Sequence, residues 1–190
     1  MKKHLVTSLL YTLITAFALG VVYPLFVTGI AHVLFRDKAN GQLIYTAKNE
    51  LVGSKLIGQP FTGPTYFHSR PSAAGAGYDA QSSGGSNLGP TSKALADRVQ
   101  QSVAGENVAA AGPVPVDLVT ESGSGLDPDI TPAAAFYQVE RIAPLRGLSA
   151  QQLHDLVQAH IQPRQFGFLG EPRVNVLELN LALDAAHPAK

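Results

Sequence analysis

From Leu5 to Phe35 the chain runs for 31 residues without a Lys, Arg, Asp or Glu. A helix needs only about 20 apolar residues to cross the hydrocarbon core of a bilayer. No later stretch repeats the pattern. The sequence therefore predicts a single N-terminal transmembrane helix (residues 1–35), one soluble domain (36–184) and a flexible tail (185–190). A second reading exists. Met1-Lys2-Lys3-His4, the run Leu5–Thr15 and Ala16-Phe17-Ala18 also have the form of a secretory signal with a small-x-small cleavage site. Cleavage there would leave the apolar stretch Leu19–Phe35 on the new terminus, which favours an uncleaved anchor.

Lys2 and Lys3 precede the apolar run, and Arg36 and Lys38 follow it, so positive charge alone barely sets an orientation. The short leading tail and the long domain behind it fit a signal anchor, with the N-terminus in the cytoplasm and the domain outside. Ser8, Thr12, Ala16 and Gly20 recur at four-residue steps. Each step turns a helix by about 40°, so the four small residues share a band where another helix can approach closely. Chance is the alternative, since Thr7, Thr15, Ala18 and Thr28 are small as well. Pro24 predicts a kink.

The 155 residues after Phe35 carry 12 Lys+Arg and 14 Asp+Glu, a formal charge of −2, which gives no basic field for nucleic acid. There is no cysteine, which excludes disulfides, thiolate zinc sites and cysteine nucleophiles. Glycine and proline supply 28 of the 155, crowded into Pro71–Gly89 and Gly123–Pro132, and predict two long glycine-rich loops. Around them, one or two short strands are expected in Gly41–Ile57 and further strands at Thr65–Ser69, Val114–Thr120 and Val174–Leu183. Helices are expected from a Thr91 cap to about Ala104, from a Thr131 cap and Pro132 to about Ala143, and behind a Ser149/Gln152 capping box. Leu177, Leu179, Leu181 and Leu183 alternate with Glu178 and Asn180 as in a half-covered strand, with a frayed tail after it. Strands and helices so mixed predict an α/β or α+β soluble domain.

Catalytic patterns fail on inspection. Gly84–Gly89 has the spacing of a phosphate loop, but Pro90-Thr91 stands where Lys and Ser/Thr must follow. Ser124 has Ser122, not glycine, two residues before it, so it is no nucleophile elbow. His154 and His160 are six apart and do not share a helix face as zinc ligands would; His160 reads as a packed core residue. Asp127-Pro128-Asp129 is either a thin cation site or a turn before the Thr131 cap. The residues left for binding are those around the two loops: Arg70, Tyr78, Asp79 and Asn87 at the first, Asp127 and Asp129 at the second.

Longer motifs carry more. Gly53-Ser54-Lys55-Leu56-Ile57-Gly58-Gln59, Tyr66-Phe67-His68-Ser69-Arg70-Pro71-Ser72-Ala73, Ser83-Gly84-Gly85-Ser86-Asn87-Leu88-Gly89 and Val119–Asp127 occur in order, followed by Ile130-Thr131-Pro132, Arg146-Gly147-Leu148 and Val174–Asp184. Together they resemble the C subunit of the bacterial Kdp potassium-transporting ATPase. The resemblance implies a non-catalytic accessory subunit in the inner membrane. Its partners would be a channel-like potassium-binding subunit, a P-type ATPase subunit and a very small helical subunit. ATP and K+ would be handled by those partners. The family is also described as a catalytic chaperone that raises the ATP affinity of the catalytic subunit. No residue here is assigned to nucleotide. A membrane-anchored binding module or hydrolase acting alone, or a domain that itself binds nucleotide, are the competing readings.

Overall fold

The structure, a computed structural model, describes residues 1–46, 48–106 and 112–187. The chain divides into two compact units, Met1–Ser54 and Lys55–Lys190.

The first unit is dominated by one apolar helical rod. Helix α1 (Lys2–Phe17) passes through a π-helical turn (Ala18–Val22) into α2 (Tyr23–Leu34). The 33 residues from Lys2 to Leu34 are long and apolar enough to cross a membrane. At 1.5 Å per residue they extend about 50 Å, more than the ~30 Å hydrocarbon core. Pro24 disturbs the hydrogen-bond ladder just upstream of itself. It offers no N–H to Gly20 and its ring crowds that carbonyl, so the bonding slips and the Tyr23 N–H reaches Ala18 instead. A short helix, α3 (Arg36–Ala39), and a hairpin of β1 (Leu43–Tyr45) and β2 (Leu51–Ser54) complete the unit. The two strands lie within the 41–57 region where the sequence predicts one or two strands; Ala47 lies outside the described residues.

The second unit is an α+β domain. Its helices are α4 (Lys93–Glu106), α5 (Pro132–Arg146), α6 (Ala150–Ala159) and α7 (Val176–Ala186). Its strands are β3 (Asp129–Ile130), β4 (Ile161–Gln162) and β5 (Arg173–Asn175), an antiparallel sheet in the order β3-β5-β4. The caps on α5 and α6 are as read from sequence. Thr131 accepts from the Ala134 N–H at 3.2 Å. Ser149 and Gln152 form a reciprocal box. Helix α4 starts after Ser92 rather than at a Thr91 cap, and runs through Gly105. The core gathers Ile130, Ile142, Leu153, Val157, Val174 and Leu179, each at most 2 % exposed.

Three expected strands are not strands, for different reasons. Val114–Thr120 follows Pro113, contains Pro115 and turns into a 3-10 helix, Val116–Leu118. Val174–Leu183 holds only the end of β5 before Asn175 caps α7, its side chain accepting from the Glu178 N–H at 3.1 Å. Val176, Leu179, Asn180 and Leu183 then form a buried stripe at helical spacing, which the run of alternating leucines conceals. The residues expected as the beginning of the tail, through Ala186, belong to α7; residues 188–190 lie outside the described ones.

The third case, Thr65–Ser69, begins in a turn, with the Tyr66 N–H donating to the Gly63 carbonyl, and then pairs with side chains instead of a strand. Asn180 Oδ1 accepts from the Phe67 N–H, and Asn180 Nδ2 donates to the Phe67 carbonyl, both at 2.9 Å. Gln138 does the same at His68, at 2.7 and 3.1 Å. Arg141 donates to the Pro64 and Tyr66 carbonyls, and Arg146 to Thr65 at 2.9 Å. Two helices thus present a ladder of amides and guanidiniums to one backbone strap. Each buried peptide group needs such a partner, which explains why Gln138 and Asn180 are each only 1 % exposed.

Candidate functional site

The two glycine-rich segments interlock. From Pro71 to Ser92 the chain has no helix or strand, while the second segment contains β3. The Gly84 N–H donates to the Ser124 carbonyl at 2.9 Å, Ser83 Oγ donates to the same carbonyl, and Ser72 Oγ donates to the Gly125 carbonyl at 2.6 Å. Gly125 sits at φ +66°, and a Cβ there would lie 2.7 Å from both Ala74 N and Gly84 O. Only glycine fits both the conformation and the space. Gly58 is similarly pressed on the Asp127 carbonyl, and its N–H donates to Leu126.

Arg70 pins this junction. Its guanidinium pairs with Asp127 at 3.2 Å and donates to the Thr120 and Glu121 carbonyls. The Tyr78 hydroxyl donates to the Arg70 carbonyl, and burial raises the phenol's pKa above its ordinary value. Asp127 Oδ1 accepts from the Asp129 N–H, so the acidic pair is built as a turn leading to the cap, the second of the two sequence readings. Asp129 itself accepts from Arg173 at 2.9 Å and from Asn175 Nδ2 at 3.1 Å. Burial pushes the Asp129 carboxyl upward, against the opposing pull of Asn175 and Arg173.

Arg70, Asp127 and Asp129 therefore meet along one cleft of about 260 Å³, which Asp117, Glu171 and Arg173 also line. Tyr78 stands behind Arg70. Asp79 and Asn87 lie elsewhere. Asp79 is exposed and closes a local turn by accepting from the Gln81 N–H, which holds its carboxyl below the usual range. Asn87, at φ +54°, lines a second cleft of about 300 Å³ with Ser86, Arg98, Glu121 and Ser122. Arg98 pairs with Glu121 there at 2.8 Å and ties α4 to the second loop. Both clefts mix polar and apolar lining, and most of their charges are paired in place. Such surfaces suit recognition by a complementary partner. Among the described residues, no three His, Asp or Glu side chains are grouped to hold a metal.

The histidines divide. His160 is half-buried at the end of α6, its Nδ1 bonded to the Leu156 carbonyl, rather than packed in the core. His154 stacks on Phe136, with ring centroids 4.1 Å apart. On the membrane helix, Ser8, Thr12, Ala16 and Gly20 are all exposed, and Gly20 lies inside the π turn, which interrupts the even stepping after Ala16.

Sequence reasoning missed the residues that hold the strap: Gln138, Arg141, Asn180, Arg146 and Asp184. The last two form a 2.8 Å pair, with Arg146 also lying over the Tyr66 ring. The available signal was polar residues on otherwise apolar helix stripes.

Comparison with known proteins adds to this geometry. Residues 5–185 match the family described as KdpC: K+-transporting ATPase, c chain. The Potassium-transporting ATPase KdpC subunit of Koribacter versatilis is 61 % identical over 189 residues, spanning 99 % of this chain and 97 % of that one. That of Acidobacterium capsulatum is 59 % identical, spanning 97 % of this chain and 100 % of that one. That of Myxococcus xanthus is 52 % identical, over 97 % of this chain and 89 % of that one.

Proposed function

The chain belongs to the KdpC family, the c chain of K+-transporting ATPases, and on that premise we propose that it is a non-catalytic accessory subunit of an ATP-driven potassium-uptake complex. The observation that carries this is the reach of the match: it includes both the apolar helix and the soluble unit, to residue 185. The helix spans the inner membrane with its N-terminus in the cytoplasm, and the domain is extracytoplasmic. The partners are the channel-like potassium-binding subunit, the P-type catalytic subunit and the small helical subunit. The helix packs on a partner through Ser8, Thr12 and Ala16, with Gly20 opening the same region at the π turn. The loops bearing Arg70, Tyr78, Asp79, Asn87, Asp127 and Asp129 supply contacts for the domain. In the family's role as catalytic chaperone, the chain raises the ATP affinity of the catalytic subunit. From an outside domain that effect travels through the membrane helices, with no ATP contact by this chain.

The test is a mild-detergent pull-down of the tagged full-length chain from native membranes grown at low potassium. A P-type ATPase and a channel-like subunit in fixed ratio are expected. Recovery of the chain alone from membranes in which the pump is intact refutes the reading and favours a stand-alone module. The chaperone role is read from the KM for ATP of complexes purified with and without the chain; equal values refute it.

A further inference from the structure

The ten residues between β4 and β5 make a stiff loop with an apolar tip. Gln165 and Leu169 exchange two backbone hydrogen bonds of 2.9 Å, the Gly167 N–H donates to the Arg164 carbonyl, and Arg164 pairs with Glu171 at the base. The tip points its apolar groups at solvent: Phe166 is 80 % exposed, Phe168 71 % and Leu169 48 %. Every other Phe or Tyr ring among the described residues of the 55–190 unit is buried or half-buried. Phe166 is also held at φ +53°, a conformation that side chains with a Cβ resist. A rigid loop that keeps two phenyl rings out of the core at the expense of backbone strain has the form of a recognition element.

We propose that Phe166, Phe168 and Leu169 are an anchor that enters an apolar pocket on the extramembrane surface of a neighbouring subunit of the same ATPase. The inference rests on the accessory-subunit reading and adds a surface to the loop contacts through which the domain docks. Two observations select this occupant. Fully buried, the three side chains would cover at most about 500 Å², short of the roughly 800 Å² per partner that a stable interface needs. The tip alone cannot hold a second copy of the chain. It suits a partner already held nearby by another contact, and the membrane helix supplies one, raising the effective concentration of the tip at its pocket. The second observation is charge and composition. The loop has no Lys, Trp or Tyr, and its Arg164 is neutralised by Glu171. Interfacial lipid binding couples apolar side chains such as these to free Lys/Arg and to Trp/Tyr anchors; the loop supplies neither, so a protein pocket fits this tip better than a bilayer surface.

The test uses the full chain co-expressed with the other ATPase subunits. A photoreactive benzoyl-phenylalanine replaces Phe166, Phe168 or, as background, Leu145, which is also exposed, and native membranes are irradiated. An adduct with another subunit from positions 166 and 168, well above that from 145, is expected. Adducts only with lipid, only with a second copy, or equally from 145 overturn the proposal. So does the absence of any adduct while the complex still co-purifies. If the wild-type chain does not co-purify with an ATPase, the accessory-subunit reading fails first and this inference falls with it. The companion variant is Phe166→Asn, because Asn tolerates positive φ. It should be lost from the purified complex about tenfold faster than wild type, while its urea midpoint is unchanged or raised. Unchanged retention overturns the proposal.

Discussion

Gly125→Ala is the substitution on which the interlocked loops can be judged. At φ +66° an alanine carries a left-handed strain of about 1–2 kcal/mol. Its Cβ would also stand 2.7 Å from Ala74 N and Gly84 O. Both are backbone atoms, so no side-chain rotation relieves the clash and the two loops must separate. Overpacking of this kind costs about 1–3 kcal/mol, which brings the total to roughly 2–5 kcal/mol. With a urea slope of about 1–3 kcal/mol per molar, the midpoint should fall by about 0.7 M or more. The chain has no tryptophan and six tyrosines, so unfolding of the full-length protein in detergent is best followed by near-ultraviolet circular dichroism. Gly123→Ala is the control, because a Cβ there meets nothing within 4 Å; it should stay within about 0.5 kcal/mol of wild type. If Gly125→Ala also stays within that margin, the tight junction between the loops is refuted.

Asn180→Leu keeps the volume of the buried side chain but strips the Phe67 N–H and carbonyl of their partners; a loss of about 2–4 kcal/mol is expected, together with faster amide exchange at Phe67, and unchanged exchange would remove the ladder account. Glu106 has its pKa lowered chiefly by the hydrogen bond with His68, so its contribution is present above the unfolded glutamate pKa of about 4.3 and is lost as pH falls through the lower folded value. Glu106→Gln should therefore flatten the stability–pH curve on the acid side of that point, and identical curves for variant and wild type would contradict it. Gly20→Leu should reduce the yield of assembled complex while leaving the urea midpoint of the soluble domain unchanged; full yield counts against a packing face on the membrane helix.

Much of this architecture could be read from local signals. The charge-free run gives the membrane helix, and Thr131-Pro132 and Ser149–Gln152 mark helix starts by chemistry that acts within four residues. What escaped was set by distance in the chain. Thr65–Ser69 has the composition of a strand, yet its pairing partners lie 70 and 113 residues away, on helices. No pattern inside the segment can say so. In Val174–Leu183 the alternating leucines imitate a strand, and the decision for a helix comes from the Asn175 cap and from Asn180 being needed at Phe67. The loop residues were identified by type, but type did not sort them. Arg70, Asp127 and Asp129 converge on one cleft because Arg70 reaches across to the second loop, while Asp79 spends its carboxylate on a local turn.

The strap held by Asn180 also fixes a schedule. Ribosomes add about 5–20 residues per second, so the 113 residues between Phe67 and Asn180 amount to about 6–23 s in which the strap has been made and its clasp has not. The apolar helix is made before the strap and the clasp well after it. Through that interval Phe67 lacks its Asn180 partner, and the arrival of α7 completes a ladder that α5 can only begin. Nascent chains stalled before residue 180 should accordingly be open to protease throughout the strap, and chains released a few residues past the end of α7 should be closed.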